Sequence, residues 1–402
     1  MSDYLLSGLK VIDCATVIAA PAAAMMLADF GAEVIKIEQP GDGDMLRMLS
    51  DISGFDTDSN WFWELDGRNK RSIALDLKSE KGMEVLRKLV SECDVFITNQ
   101  PYDIREKFGL TYDALRPLNE GMIYASLTAY GEKGGERDRK GFDQLAYWAR
   151  SGLMDLMREP GTRPTQGLPG MGDHPTGVSL YAGIMTALLQ KERTGVGGMV
   201  HTSLLANGLW SVAGVAQGVM AGGDSINYRN RSRSYSSMMC PYKTKDERWL
   251  QFNMIRNEEL LSILLTALDA LHLLADERFM TPELMFENRE ELTGELQDIV
   301  IAKNSKEWLS IFESFDLPVN LVAVVEETKD DLQILENEMA VVPKGEDMAT
   351  SLIINHPVKV SSVDQVGPRK APELGEHGTE ILKELGYNDA QIEAMLEQRV
   401  IE

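Results

Sequence analysis

LKVIDCATVIAAPAAAMMLADFGAEVIKIE, residues 9–38, reads as a strand, a helix and a second strand in succession. Leu9–Cys14 and Ala32–Glu38 are built around Val and Ile, which suit a pleated surface, whereas Pro21–Phe30 is dominated by Ala and Met, which suit a helix. Gly31 follows the last helical residue, where a helix commonly stops. This is a βαβ unit. Ser72–Leu77, the helical Glu80–Glu92 and Cys93–Thr98 repeat it, and Met122–Thr128 adds a further strand. The alternation predicts an α/β fold: a Rossmann-like, mostly parallel sheet with helices on both faces and ligands near the carboxyl ends of its strands. Between the first strand and its helix lies ATVIAAP, Ala15–Pro21, which lacks the glycine spacing of a dinucleotide fingerprint or a P-loop. That argues against nicotinamide or nucleoside-triphosphate chemistry, while its small residues still let a ligand approach the strand end closely.

Further along, a long apolar helix is predicted from Gly177 to Glu192, and Met199–Met220 is again apolar and rich in small residues, so both are expected in the core. Composition shifts at GGDSINYRNRSRSY, residues 222–235, a polar and basic stretch that fits a solvated connector or a loop over a site. Trp249–Met254 reads as a strand, and Glu258–Ala275 and Arg289–Ala302 as helices of a smaller α+β domain. The chain returns through Leu317–Val325 and ends in the helical Gly378–Leu385 and Asp389–Gln398. The expected organisation is a large domain from residues 1–221, a linker and small domain over 222–330, and a return segment over 331–402 that completes the large domain.

Composition excludes several classes of function. A hydrophobic share of 44 % and a charged share of 26 % are those of an ordinary globular chain, and no apolar run reaches the ~18 residues of a membrane span. The first residues show no basic start followed by an apolar stretch, which points to the cytoplasm, with no secretion and no membrane partner. Cys14, Cys93 and Cys240 are odd in number, widely spaced and without zinc-type spacing, so reduced thiols are expected, with no disulfide framework and no metal site. A net charge of −23 argues against nucleic acid as a partner, because phosphate backbones need a broad basic face. A local group of cations or a helix N-terminus can still hold an anionic small molecule.

One carboxylate stands apart. Asp173 lies in LPGMGDHPTG, residues 168–177, among glycines and prolines just before the predicted helix. An unperturbed Asp titrates near ~3.9 and is an anion at neutral pH, able to attack an activated acyl carbon. Asp is also a favoured helix N-cap, and Pro is common in a first helical turn, so taken alone the segment fits a plain cap as well.

Residues spread along nearly the whole chain resemble class III CoA-transferases, the family of formyl-CoA transferase and carnitine CoA-transferase. The resemblance rests on Leu6–Asp13, Ala19–Pro21, Leu27–Glu38, Gly43-Asp44, Asn69–Ile73, Leu75–Lys78, Asp94–Asn99 and Ala129–Gly131, and on the closing Ala371–His377 and Glu380–Tyr387. Gly141-Phe-Asp143 and Gly170–His174 look most like transferases acting on aryl-lactates and 2-hydroxyisocaproate. The resemblance implies that Asp173 is catalytic and the route covalent. The carboxylate attacks the donor thioester to give a mixed anhydride and free CoA thiolate, which then attacks the aspartyl carbonyl to leave an enzyme-bound CoA thioester. The acceptor acid repeats the cycle in reverse. Coenzyme A and acyl-CoA are thus implied as substrates, with a carboxylic acid, no tightly bound cofactor, and a homodimer of interlocked ring-like subunits. By the same matching, the CoA-binding positions fall on Val17, Ile18, Gln39, Leu75, Asn99, Gln100, Lys107, Phe108 and Phe142.

The departures carry information too. Gln39 and Lys107 stand where formyl-CoA transferase has arginines, which weakens bidentate phosphate contacts, and Phe142 replaces its Tyr. Arg47, Lys70 and Arg71 are further candidates for the phosphates, or for a solvated surface. Phe142 weighs against a 2-methylacyl-CoA racemase, which places a proton-carrying His in that segment; His174 fits a structural or solvated role beside its turn. No glycine-rich flap appears between Ser232 and Glu259, which argues against an oxalate-type substrate. Tyr235, Met238 and Met239 suit a less polar acyl group or domain packing. An intramolecular CoA-transferase would use the same Asp173 and need a cation such as Arg150 or Arg231 for a second carboxylate, whereas a silent CoA-binding protein would have no use for Asp173.

Overall fold

A computed structural model describes residues 4–51, 54–159, 161–226, 236–253, 258–345 and 348–402. Six strands, β1 (Lys10–Cys14), β2 (Glu33–Glu38), β3 (Arg71–Ala74), β4 (Val95–Thr98), β5 (Ile123–Thr128) and β6 (Gly198–Ser203), form one parallel sheet in the order β3-β2-β1-β4-β5-β6. The Val- and Ile-rich segments supply β1 to β5, each end within three residues of the expected bounds, with β3 starting one residue earlier at Arg71. β6 falls inside the stretch expected to be core, and its GMVHTS alternates between half-buried and exposed residues because it is an edge strand.

Side chains alternate across the sheet, so Val11 of β1 joins the core on one face and Ile12 the core on the other. On the first face lie α1 (Ala19–Asp29), buried along its whole length, and the helix Asp173–Thr194. The two helices meet closely because Gly177 has no side chain: a Cβ there would stand 2.6 Å from the Ala19 carbonyl oxygen. On the second face Phe96, Tyr124, Leu86, Ile381 and Ile392 belong to one core, so the helix Glu80–Glu92 and the C-terminal helices Gly378–Glu384 and Asp389–Glu397 cover it together. Strand order reverses between β1 and β4, leaving a crevice at their carboxyl ends.

The chain divides into two compact units. The first, residues 1–155, 165–217 and 331–402, holds this sheet. The second, residues 156–164 and 218–330, holds an antiparallel sheet of β7 (Pro241–Lys243), β8 (Trp249–Phe252) and β9 (Val319–Leu321), with the helices Glu258–Ala267, Arg289–Val300 and Ser305–Ser314 around Phe252, Trp308 and Phe312. Met238 packs against that core and Met239 is exposed, while Arg231 and Tyr235 lie outside the described residues. Residues 199–220 are not core throughout: Met199, Leu209, Trp210 and Met220 are exposed, Trp210 by 80 %. Among the described residues no helix is long and apolar enough to cross a membrane.

Beside the crevice lies a cluster of buried charge. Asp13, Lys36, Glu38, Asp44 and Lys70 are at most 1 % exposed at their side chains and Arg47 13 %. Lys36 Nζ lies 2.6 Å from Asp44 and 3.8 Å from Asp13, and it donates to the Ala15 carbonyl. Lys70 bonds Asp13 at 2.9 Å and the Pro21 carbonyl at 2.8 Å, and Arg47 grips both Glu38 oxygens at 2.8 Å. Burial works against charge on Asp13 and Glu38, yet the cations around them hold both carboxyls below the usual carboxylate range. Three carboxylates face three cations, and removing one partner leaves an uncompensated buried charge. Lys36→Met is therefore expected to lower stability by roughly 3–5 kcal/mol, read as a lower urea midpoint. Lys10→Met, which breaks an exposed pair with Glu92, is expected to cost under about 1 kcal/mol. Equal midpoints for the two variants would remove the cluster from the account of the fold.

Candidate active site

The loop from Ala15 to Ile18, between β1 and α1, is fixed from two sides. Asn99, the first residue past β4, accepts a hydrogen bond from the Thr16 N–H at 3.0 Å and donates to the Thr16 carbonyl at 2.7 Å, tying the two strand ends across the crevice. Asp44 accepts from the Val17 N–H at 2.8 Å, and Asp44 is itself held by Lys36 and by its own N–H to Glu38. These bonds keep Val17 at φ +68°, a left-handed conformation that costs a β-branched residue about 1–3 kcal/mol. Strain of this kind persists only where the surroundings over-determine the backbone, as they do here.

The residues matched to CoA-binding positions gather at the carboxyl ends of the strands. Val17 and Ile18 form the loop, Gln39 stands exposed past β2, Leu75 follows β3, and Asn99 and Gln100 follow β4. Lys107 and Phe108 close the short helix Tyr102–Lys107, with the exposed ammonium 5.4 Å from the Phe108 ring, and Phe142 is exposed in the segment after β5. Leu75 and Ile18 differ from the others: their side chains are buried, so they offer a ligand backbone and little else. The further cations are engaged inside the protein. Arg47 holds Glu38 and stacks 3.8 Å over Trp63, Lys70 holds Asp13, and Arg71 pairs with Glu380 and Glu384 at 3.2 and 3.0 Å. Neither a phosphate ligand nor a solvated surface describes Arg47 and Lys70. Arg150 pairs with Glu136 at 3.3 Å.

Asp173 is the first residue of its helix, which starts four residues ahead of the apolar pattern, and Gly172 is the N-cap. No side chain caps this helix, so the plain-cap reading of Asp173 does not hold. The turn before it needs its glycines: Gly170 adopts φ +78°, and a Cβ at Gly172 would collide with Asp143 and Tyr147. A Cβ at Gly170 would stand 3.3 Å from Ile18 Cδ1, which puts the turn against the β1–α1 loop.

Three further side chains control Asp173. Buried Asp143 accepts from the Gly172 N–H at 3.1 Å, and burial pushes its carboxyl above the usual range. Fully buried Asp66 lies 3.2 and 3.3 Å from His174 Nε2, while His174 Nδ1 lies 3.1 Å from the Gly170 carbonyl oxygen. Burial, then Asp143, then Asp66 push the Asp173 carboxyl up to about 7, with His174 opposing. Burial pulls His174 down, but Asp66 and Asp173 outweigh it and hold the ring at about 9. The sequence gives Asp143 a place beside Phe142 but no task, and nothing in WFWELDG marks Asp66. Cys14 is no competitor, because burial and Asp13 hold its thiol up at about 12. The arrangement offers one half-buried carboxylate, partly ionised at neutral pH, at the carboxyl ends of the strands, suited to nucleophilic attack or proton transfer.

The pattern of CoA-transferase family III matches residues 6–378. The chain is 34 % identical over 399 residues to the (R)-2-hydroxy-4-methylpentanoate CoA-transferase of Clostridioides difficile, covering 99 % of each chain. It is 33 % identical over 398 residues to the cinnamoyl-CoA:phenyllactate CoA-transferase of Clostridium sporogenes, covering 97 % of this chain and 96 % of that one. Among solved structures, a CAIB/BAIF family protein from Brucella suis superposes with a TM-score of 0.84 at 29 % identity, over 96 % of this chain and 100 % of its own. Rv3272 from M. tuberculosis superposes with a TM-score of 0.81 at 26 % identity, over 94 % of this chain and 98 % of its own. 2-Hydroxy-4-methylpentanoate is 2-hydroxyisocaproate and phenyllactate is an aryl-lactate, so the likeness carried by Gly141–Asp143 and Gly170–His174 is borne out. A match across nearly the whole chain, with relatives above 30 % identity end to end, establishes that this chain belongs to CoA-transferase family III.

Proposed function

We propose that this enzyme moves coenzyme A from an acyl-CoA thioester to a free carboxylic acid through covalent intermediates on Asp173, with weakly polar 2-hydroxy acids as its acid class. The observation that carries the reading is an uncapping carboxylate, raised to about 7, on a glycine-built turn against the β1–α1 loop. Its oxygen attacks the thioester carbonyl carbon, the C–S bond breaks, and CoA thiolate leaves with a mixed anhydride behind it. The thiolate attacks the aspartyl carbonyl, releasing the donor acid and forming an aspartyl-CoA thioester. The acceptor carboxylate then attacks that thioester, and returning thiolate takes the acceptor acyl group and frees Asp173. Thioester energy passes from one acid to another, so no ATP is consumed. Val17, Ile18, Gln39, Asn99, Gln100, Lys107, Phe108 and Phe142, with the backbone of Leu75, hold the coenzyme in this reading. It is cytoplasmic, and the small acid class follows the two hydroxy-acid relatives.

The test is mass spectrometry of the intact protein and its peptides after incubation with acyl-CoA donors, wild type beside Asp173→Ala. A CoA adduct on the Asp173 peptide is expected in the wild type alone, discharged by one acid, with activity of the variant down at least roughly a thousandfold. An active Asp173→Ala variant, or solvent deuterium entering the 2-position of a branched acyl-CoA with no adduct, sinks the reading.

The same reading includes a homodimer. The first unit leaves Trp210 80 %, Val196 57 %, Leu189 47 % and Leu209 39 % exposed on segments that flank or pack against the edge strand β6, apolar surface of the kind a second copy covers. Sedimentation equilibrium at micromolar concentration is expected to return twice the chain mass. A monomer under those conditions overturns the dimer.

A further inference from the structure

Both ring nitrogens of His174 face groups that only accept hydrogen bonds. Nδ1 lies 3.1 Å from the Gly170 carbonyl oxygen, and Nε2 lies 3.2 and 3.3 Å from the Asp66 carboxylate. A neutral imidazole has one N–H and satisfies one of these; an imidazolium satisfies both. The two contacts, with Asp66 ionised, are satisfied together only by the imidazolium, so the pairing favours the cation. The ring is also clamped, by Asp66 from the helix Trp61–Gly67 and by Gly170, whose carbonyl takes the His174 backbone N–H at 3.0 Å as well. The ionisable groups that face this corner are Asp66, Asp173 on the same helix, and Asp143 from the segment after β5, while the start of α1 presents the uncharged Ile18. The Lys70 ammonium, bonded to Asp13, also acts on Asp66, which leaves His174 as the cation that acts on Asp173.

We infer, resting on the reading of Asp173 as nucleophile, that His174 is a positioning residue: its imidazolium keeps the Asp173 carboxylate ionised beside Asp143 and Asp66, and its clamp between Asp66 and Gly170 fixes the turn from which Asp173 attacks. Without that charge Asp173 holds its proton further into neutral pH, and a protonated Asp173 is a poor nucleophile toward a thioester. The role differs from that of an acid or base, because His174 neither gives nor takes a proton in the transfer.

The test compares wild type, His174→Gln and Asp66→Asn by the pH dependence of kcat/KM for CoA exchange, by CoA adduct formation on Asp173, and by urea unfolding to establish that each is folded. Wild-type kcat/KM is expected to rise through about pH 7 as Asp173 ionises. In His174→Gln, which keeps a donor but no charge, this limb is expected to move up by roughly one unit, lowering the rate at pH 7 about fivefold while the rate above about pH 9 approaches that of the wild type. KM for acyl-CoA stays nearly unchanged while kcat falls. In Asp66→Asn the NMR titration midpoint of the His174 ring moves to lower pH, because the ring has lost its carboxylate. A folded His174→Gln variant with the wild-type profile overturns the inference and leaves the Asp173 reading standing. Absence of the adduct in the wild type overturns that reading itself. If His174→Gln does not fold, NMR titration of the wild-type ring decides the matter: a midpoint at or below the ordinary ~6.5 overturns the inference.

Discussion

Lys36 is the pivot of the first unit. It sits on β2 yet its ammonium serves the end of β1, between Asp13, Asp44 and the Ala15 carbonyl. Each of those contacts governs a piece of the crevice: Asp13 anchors Lys70, which holds the Pro21 carbonyl in the first turn of α1, and Asp44 catches the Val17 N–H. Taking such charges out of water costs several kcal/mol apiece, and an apolar core of the same volume is often no less stable. An apolar core, however, supplies nothing that would hold a β-branched residue in a left-handed conformation. The buried ions therefore stabilise one particular loop shape, at the place where the strand order of the sheet opens a binding crevice.

Two charged groups lie close to that loop, and they are built on opposite principles. The cluster around Lys36 has equal numbers of carboxylates and cations, and Asp13 and Glu38 are held low. The corner around Asp173 has three carboxyl groups against the His174 ring, with Lys70 of the first cluster acting on Asp66 from outside it, and Asp143 and Asp173 are held high. Balanced burial gives rigidity. Unbalanced burial gives a carboxylate of raised basicity, hence a stronger nucleophile, that is still partly ionised at neutral pH. In the proposed reaction, the imbalance is what would make this carboxylate reactive.

The sequence reveals these two groups unequally. β1, α1 and β2 are legible because Val and Ile give way to Ala and Met and then return, a change of period that local physics alone dictates. The edge strand β6 is not, since exposure on one face dilutes its apolar signal and leaves GMVHTS looking like the flank of a helix. The start of the Asp173 helix is hidden for a related reason: Asp173-His174-Pro175-Thr176 carry no apolar periodicity, and only the Gly172 cap defines the end. Asp173 stands out because glycine and proline frame it, but only the family resemblance lifts it above a plain cap. Its controllers do not stand out. Asp66 meets His174 across 108 residues and Lys70 meets Asp13 across 57, and a charge on a local stretch of sequence looks the same whether solvated or buried against a distant partner.

Magnitudes decide why Asp173 is raised although it sits where a helix would lower it. The first turn of a helix favours a carboxylate by about 0.3–1 kcal/mol, under one pH unit. The displacement from the ordinary ~3.9 to about 7 corresponds to about 4 kcal/mol in the other direction. Burial and the neighbouring carboxyls must therefore outweigh the helix several times over, and they do so because the glycine turn brings Asp143 against the Gly172 N–H, close to the same turn. The helix contributes geometry more than charge. A carboxylate on its first residue is carried by backbone that is hydrogen-bonded from the next turn onward, so it is aimed by the same packing of Gly177 against Ala19 that joins its helix to α1 and the crevice loop.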